Sequence, residues 1–255
     1  MKIFTSLLFV FLFVTSNWSQ NQKDLTTAGA RAQKSVEIIR QFAALGTGSL
    51  PFEYLQKAKA VAVFPGLTRV NILLNELTLG NGIVAVRSAD DKWSVPVFLA
   101  LKAQDINLKM AGKKSFDAVV LFMDDESIEW MKKGDVGFTS NGKRKIALGP
   151  VIGGKGADDL MKTAKVIYYA FDQGKLIDTG LSTDSFFKAV GILHDNNMNK
   201  AVFGMKTKPL FAAPESSLKI PAEIEKYRTV LIEVLPRTSS GQNADQMDYN
   251  KQPIK

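Results

Sequence analysis

A chain of 255 residues, 45% hydrophobic, has enough apolar content to build one large core. It contains no cysteine, which excludes disulfides, thiolate zinc sites, iron–sulfur clusters and a cysteine nucleophile, so packing and hydrogen bonding must hold the fold. The formal net charge of +8 favours anionic partners, set against the simpler reading that a basic surface keeps a chain soluble.

Residues 1–19 have the outline of a signal peptide, because Lys2 precedes an apolar run over residues 3–14. That run is shorter than the about 20 residues a membrane-spanning helix needs. Asn17-Trp18-Ser19 offers an approximate small-x-small cleavage site. Cleavage near Ser19 predicts an exported chain starting near Gln20, destined for a periplasm, the cell exterior or a secretory lumen. Removing Lys2 lowers the charge from +8 to +7. Export argues against nucleic acid as the partner and leaves anionic lipid or envelope polymers.

Over residues 24–45, helical spacing gathers Ala28, Ala32, Ser35, Val36, Ile39, Phe42 and Ala43 on one face. Arg31, Lys34 and Arg40 lie mostly elsewhere, which makes a basic amphipathic helix. Two uses fit it: a membrane surface helix whose apolar face enters the interface, or a helix docked on the domain. Gly46-Thr47-Gly48 ends it, and Ser49 with Pro51 starts a short helix over residues 51–57.

Sheet signals follow. Residues 60–64 read as a buried strand stopped by Pro65-Gly66, and residues 69–79 as a strand with a polar interruption. Asn81-Gly82 predicts a type I′ turn leading into residues 83–87. After the polar loop 88–92, residues 93–101 should pair antiparallel with the preceding strand. Residues 106–110 and 118–123 give two more strands. Asp124-Asp125-Glu126 opens a helix that Lys132-Lys133-Gly134 closes, so the acids are read as helix-end charges rather than metal ligands.

Asn141-Gly142 predicts a hairpin between residues 137–139 and 145–148, with Lys143-Arg144-Lys145 at its mouth, facing either phosphate head groups or water. Asp172-Gln173-Gly174 predicts another, between residues 165–171 and 175–177. Helices are expected over residues 183–193 and 221–235, and a disordered tail over 237–255. The fold class expected is α+β: a single domain, mainly antiparallel hairpin-built sheet, with an N-terminal amphipathic helix and a few flanking helices.

Catalytic patterns are approached and missed. Residues 149–156 match GxxxxGK, but Gly156 stands where a phosphate-binding loop needs a hydroxyl for magnesium, and the neighbouring segments read as hairpins. His194, the single histidine, has no GxSxG serine to serve and cannot build a multi-histidine metal site. It is read as the end of a helix, favoured there by the dipole when protonated. The chain is therefore expected to be no enzyme, with no catalytic residue, metal or cofactor.

A set of motifs resembles the SYLF domain family over residues 26–204. They are the leading helix, Ala58-Lys59-Ala60 running into Phe64-Pro65, Gly80-x-Gly82, Trp93-Ser94-x-Pro96, Asp117 before an apolar strand and Gly149-Pro150. Tyr168-Tyr169 before Gly174, Gly180-Leu181-Ser182, and Asn199 with Phe203-Gly204 complete it. The resemblance implies a lipid-binding domain with acidic phospholipids as ligands, bound by the N-terminal basic region and by a lysine after the first strand. Carried onto this chain, it implies Arg31, Lys34, Arg40 and Arg69 as lipid-binding residues, Arg69 standing where the family has that lysine. Phe64, Pro65, Gly80, Gly82, Trp93, Ser94, Pro96, Gly149 and Pro150 are then structural. Residues 70–72 and 99–108 occupy segments that are glycine-rich in the family, which points to a changed ligand. An exported chain is not expected to meet actin. The expected function is association with anionic phospholipid membranes, and the alternatives are an envelope scaffold binding another protein, or a carrier of a single lipid. Residues 205–236 are expected to add a helix packed on the domain.

Overall fold

The computed structural model describes residues 3–45, 50–72, 75–103, 111–134, 136–138, 146–149, 164–176 and 190–235. Helix α1, Ile3–Ala43, joins the expected leader and the amphipathic segment in one helix, so the expected cleavage site near Ser19 falls within its backbone. Its apolar face decides its place. Ala28, Ala32, Val36, Ile38, Ile39 and Phe42 are all buried in the domain core, so this half of α1 is docked. Among the described residues, no helix is long and apolar enough to cross a membrane. Helix α2, Leu50–Lys57, follows as the Ser49 and Pro51 signals predict.

Among the described residues nine strands form one sheet: β1 (Ala60–Ile72), β2 (Asn75–Val86), β3 (Val97–Ala103), β4 (Ala111–Phe122), β5 (Val136–Phe138), β6 (Ile146–Gly149), β7 (Val166–Asp172), β8 (Lys175–Leu176) and β9 (Val190–His194). Their order is β5-β9-β3-β2-β1-β4-β7-β6, with β8 on β7. Every pair is antiparallel except β6 with β7. Helix α3, Asp125–Lys133, follows β4, while α4 (Asn196–Phe203), α5 (Thr207–Ala212) and α6 (Ala222–Val234) follow β9. The α+β class holds.

Strand alternation sends side chains to two cores, one on each sheet face. Val61, Val63, Ile83, Phe98, Val119 and Tyr169 face α1, α2 and α6, while Ala62, Phe64, Val84, Leu99 and Val120 face α3 and α5. Helix α6 lies along α1 and is fastened to the sheet centre, where the buried Tyr227 hydroxyl donates to the Val61 carbonyl at 3.0 Å.

Four sequence expectations need correction. Pro65-Gly66 does not stop the first strand: β1 runs through it with a register shift between Val63 and Thr68, which is a β-bulge. Proline lacks an N–H and is tolerated at a bulge, and Gly66 takes φ +60° there while donating its N–H to Asp117 Oδ1 at 2.8 Å. Asn81-Gly82 is not a turn either; Asn81 pairs with Ala100 inside β2, and the chain reverses between Ile72 and Asn75. Glycine is needed at 82 for space, because a Cβ there would lie 2.5 Å from Phe64 Cδ1 and 2.6 Å from the Val63 carbonyl oxygen.

The hairpin at Asn141-Gly142 is the third. Its two arms sit at opposite edges of the sheet, β5 on β9 and β6 parallel to β7, so long-range pairing overrides the turn signal. The segments before the GxxxxGK match are therefore not hairpins, although Gly156 still offers no hydroxyl. Fourth, residues 190–193, expected to end a helix, form strand β9 instead, against β3 and β5. The predicted hairpin at Asp172-Gln173-Gly174 is present, with Gln173 and Gly174 at φ 48° and 77°. The expected helix stop at 46–48, strand 106–110, cations 143–145, residues 150–163, the helix portion 183–189 and the tail 237–255 lie outside the described residues.

Candidate functional site

The cations that the sequence nominates on α1 differ in surroundings. Arg31 is only 9% exposed: its Nη1 donates to Asp195 Oδ2 at 3.0 Å, and its guanidinium sits 5.3 Å from the centre of the Phe98 ring. Asp195 in turn caps α4, its Oδ1 accepting from the Met198 N–H at 3.1 Å. Arg31 is thus a clamp between α1, β3 and the start of α4, and cannot present its charge to a membrane. Helical periodicity puts it off the apolar face, but Asp195, 164 positions away, draws it inward.

Lys34 and Arg40 are outside. Lys34 Nζ lies 3.3 Å from Glu37 and Arg40 Nη2 3.3 Å from Glu233 of α6, with side chains 50% and 62% exposed. Pairs so exposed are weak and exchange readily with water or other anions. Arg69 holds a place in β1 between Thr78 of β2 and Lys114 of β4. The four nominated residues therefore do not form one cluster on α1.

The motif residues sit in the sheet centre. Phe64 is fully buried and Gly80 and Gly82 lie across from the bulge, where a Cβ at 80 would meet Leu67 Cδ2 at 2.6 Å. Trp93 is buried against Arg87, 5.7 Å from its guanidinium, and Pro96 is buried. Ser94 N–H donates to the Val86 carbonyl, and Ser94 Oγ accepts from the Val86 N–H at 3.0 Å. Gly149 ends β6 opposite Tyr169, and Pro150 lies outside the described residues.

Helix α3 starts and ends as its charges predict. Asp124 Oδ1 accepts from the Ser127 N–H at 2.8 Å, and Gly134 closes the helix at φ 71°. Burial pushes the Asp124 carboxyl up, but the Ser127 N–H and the Lys165 ammonium outweigh it and hold it below the ordinary range. Asp125 pairs with Lys59 at 2.8 Å and Glu126 with Lys165, so the acids are spent on lysines. No cluster of three or more His, Asp or Glu among the described residues is placed to hold a metal ion.

His194 ends strand β9 rather than a helix, yet it does meet a helix C-terminus. Its Nε2 lies 3.0 Å from the Met131 carbonyl oxygen in the last turn of α3, and its ring packs on Gly134 and Phe211. Burial pushes its pKa below the ordinary value, the Met131 contact opposing and Lys208 adding to the shift. The dipole contact expected is there, but desolvation wins and favours the neutral ring.

A cleft of about 770 Å³ beside residues 88–92 is lined by Lys57, Lys59, Arg87, Asp91 and Asp125. Two of its cations are paired within the wall, Lys59 on Asp125 at 2.8 Å and Arg87 on Asp91 at 2.9 Å, and the Lys57 ammonium lies 5.9 Å from the centre of the Tyr54 ring.

The α4–α5 corner is different, and the sequence reading misses it. Lys200, Lys206 and Lys208 are exposed there and have no acid partner among the described residues. The corner is rigidly founded. Buried Asn199 accepts from the Phe98 N–H at 2.8 Å and donates to the Phe98 carbonyl at 2.9 Å and to Thr207 Oγ1 at 2.7 Å. Thr207 N–H donates to Asn196 Oδ1 at 3.1 Å. A lysine every few residues between apolar positions was the available signal.

Over 151 residues, 57% of this chain and 43% of the relative, the sequence is 26% identical to SH3 domain-containing YSC84-like protein 1 of Bos taurus, and likewise of Mus musculus. The protein of the same name from Homo sapiens is 26% identical over 127 residues, 48% of this chain and 36% of that one. The match spans less than half the length of these curated relatives. No family model matches the chain, and no solved structure matches it. The SYLF resemblance carried by the motifs is thus accompanied by a distant similarity to YSC84-like proteins over about half of the chain.

Proposed function

We propose that this chain is a non-enzymatic, exported domain that associates reversibly with anionic phospholipid membranes through its basic surface. The observation that supports this best is where unneutralised charge remains. Lys92, Lys132 and Lys226 each hold an acid within 3.1 Å, whereas Lys200, Lys206 and Lys208 hold none among the described residues. A lysine near an anionic bilayer contributes about 1 kcal/mol, so a few free ones localise a protein without anchoring it. Docking of the apolar face of α1 removes helix insertion over residues 28–42 from the reading; attraction is Coulombic.

Co-sedimentation tests it. The expected result is recovery with anionic vesicles at low salt and release at about 1 M salt, where the Debye length falls to about 3 Å. Equal recovery with neutral and anionic vesicles refutes the reading.

A further inference from the structure

We infer that the α4–α5 corner, carrying Lys200, Lys206 and Lys208, is the face that meets an anionic lipid surface. This rests on the lipid reading above and gives it a location. Three features converge on it. The charges have no acid partner among the described residues and lie within nine positions of one another, on α4 and at the start of α5, two helices held together through the buried Asn199–Thr207 hydrogen bond at 2.7 Å.

The turn between the two helices is also open. Gly204 closes α4 at φ 74°, is exposed, and a Cβ built on it meets nothing within 4 Å. An open turn leaves room for a broad, flat partner. Finally, Phe203 and Met205, between the lysines in sequence, and Phe211, just after them, are only partly buried where they pack against the core. Apolar side chains flanked by ammonium groups suit the boundary between head groups and acyl chains. An acidic protein would use the same charges but has no need of that apolar flank, which is why a lipid surface is the partner argued.

Cations elsewhere are clamped, paired or scattered. Arg31 is clamped inside, Lys34 and Arg40 have Glu37 and Glu233, and exposed Lys23, Lys57, Lys133, Lys175 and Lys219, which have no salt bridge among the described residues either, lie on different segments. The α4–α5 corner gathers three such lysines within nine positions, with no acid partner among the described residues.

The test compares three proteins, each in the processed form in which it accumulates, on vesicles of neutral lipid with and without anionic phospholipid. They are the wild type, the triple variant Lys200→Gln, Lys206→Gln, Lys208→Gln, and a control with Lys92→Gln, Lys132→Gln and Lys226→Gln. All three side chains of the first variant are exposed, so circular dichroism is expected to be unchanged. The expected loss of partitioning onto anionic vesicles is about a hundredfold for the corner variant, with less than threefold for the control. A loss under tenfold in the corner variant, or an equal loss in both variants, overturns the location while leaving the lipid reading intact. Failure of the wild type to prefer anionic vesicles overturns both.

Discussion

Arg31 on α1 and Lys206 at the α4–α5 corner carry the same charge and are used in opposite ways. The arginine is enclosed, its guanidinium held by Asp195 and Phe98; the lysine is exposed with no acid partner among the described residues. A net charge counts both alike. What separates them is whether a fold places a carboxylate within reach, and that is settled by residues far apart in the chain. Arginine's planar, weakly hydrated group tolerates enclosure, while the strongly hydrated ammonium of lysine favours water.

Breaking the enclosed pair should have the largest effect. Arg31→Ala leaves Asp195 without its cation at a site 16% exposed, so a loss of about 3 kcal/mol is expected in urea unfolding. A loss below about 1 kcal/mol would put Arg31 among the surface cations and dissolve the contrast. Asn199→Ala attacks the base of the corner instead: it strands the buried Phe98 N–H and Thr207 hydroxyl, with an expected cost of about 2 kcal/mol. Membrane partitioning should survive in the fraction that remains folded, because the lysines themselves are untouched.

Acid should weaken the seam between α3, β9 and α5. His194 is depressed below its ordinary value of 6.5 by burial, so the folded state binds its proton less readily than the unfolded chain. Its contribution is complete above pH 6.5 and is lost as pH falls through the lowered folded value. Unfolding measured from pH 7.5 downward should show that loss, and His194→Gln should flatten it. An identical pH profile in the variant would remove His194 from the account. At the small end, Lys34→Gln removes an exposed i,i+3 pair and should change stability by about 0.3 kcal/mol.

Local signals read well wherever the decisive partner is close in sequence. Asp124 and Gly134 bound α3, Ser49 and Pro51 foretell α2, and Gln173-Gly174 makes its hairpin, because caps and two-residue turns are settled within a few positions. Asn81-Gly82 misleads because the same residue types serve a different need. Gly82 gives Phe64 and the Val63 carbonyl the room that the bulge at Pro65-Gly66 takes up, and that partner lies on another strand. Asn141-Gly142 misleads for a similar reason, since β5 and β6 find their partners in β9 and β7.

The apolar face of α1 was legible as a face, but not what it covers. Periodicity is the same for a helix on a membrane and one on a sheet, and only the burial of Ile39 and of Phe42, whose ring meets Tyr169 and Phe171, distinguishes them. The α4–α5 corner was hidden differently. Residues 196–212 lack the run length that marks an amphipathic helix, so α4 and α5 and their lysines leave little periodic signal.

Hydrogen exchange of the folded chain, with and without anionic vesicles, tests the division of labour between these two regions most directly. The account predicts unchanged exchange over residues 28–43 of α1, which stay docked, and slower exchange over residues 200–212. Faster or altered exchange in α1 with no change at 200–212 would contradict it, and would return membrane contact to the leading helix.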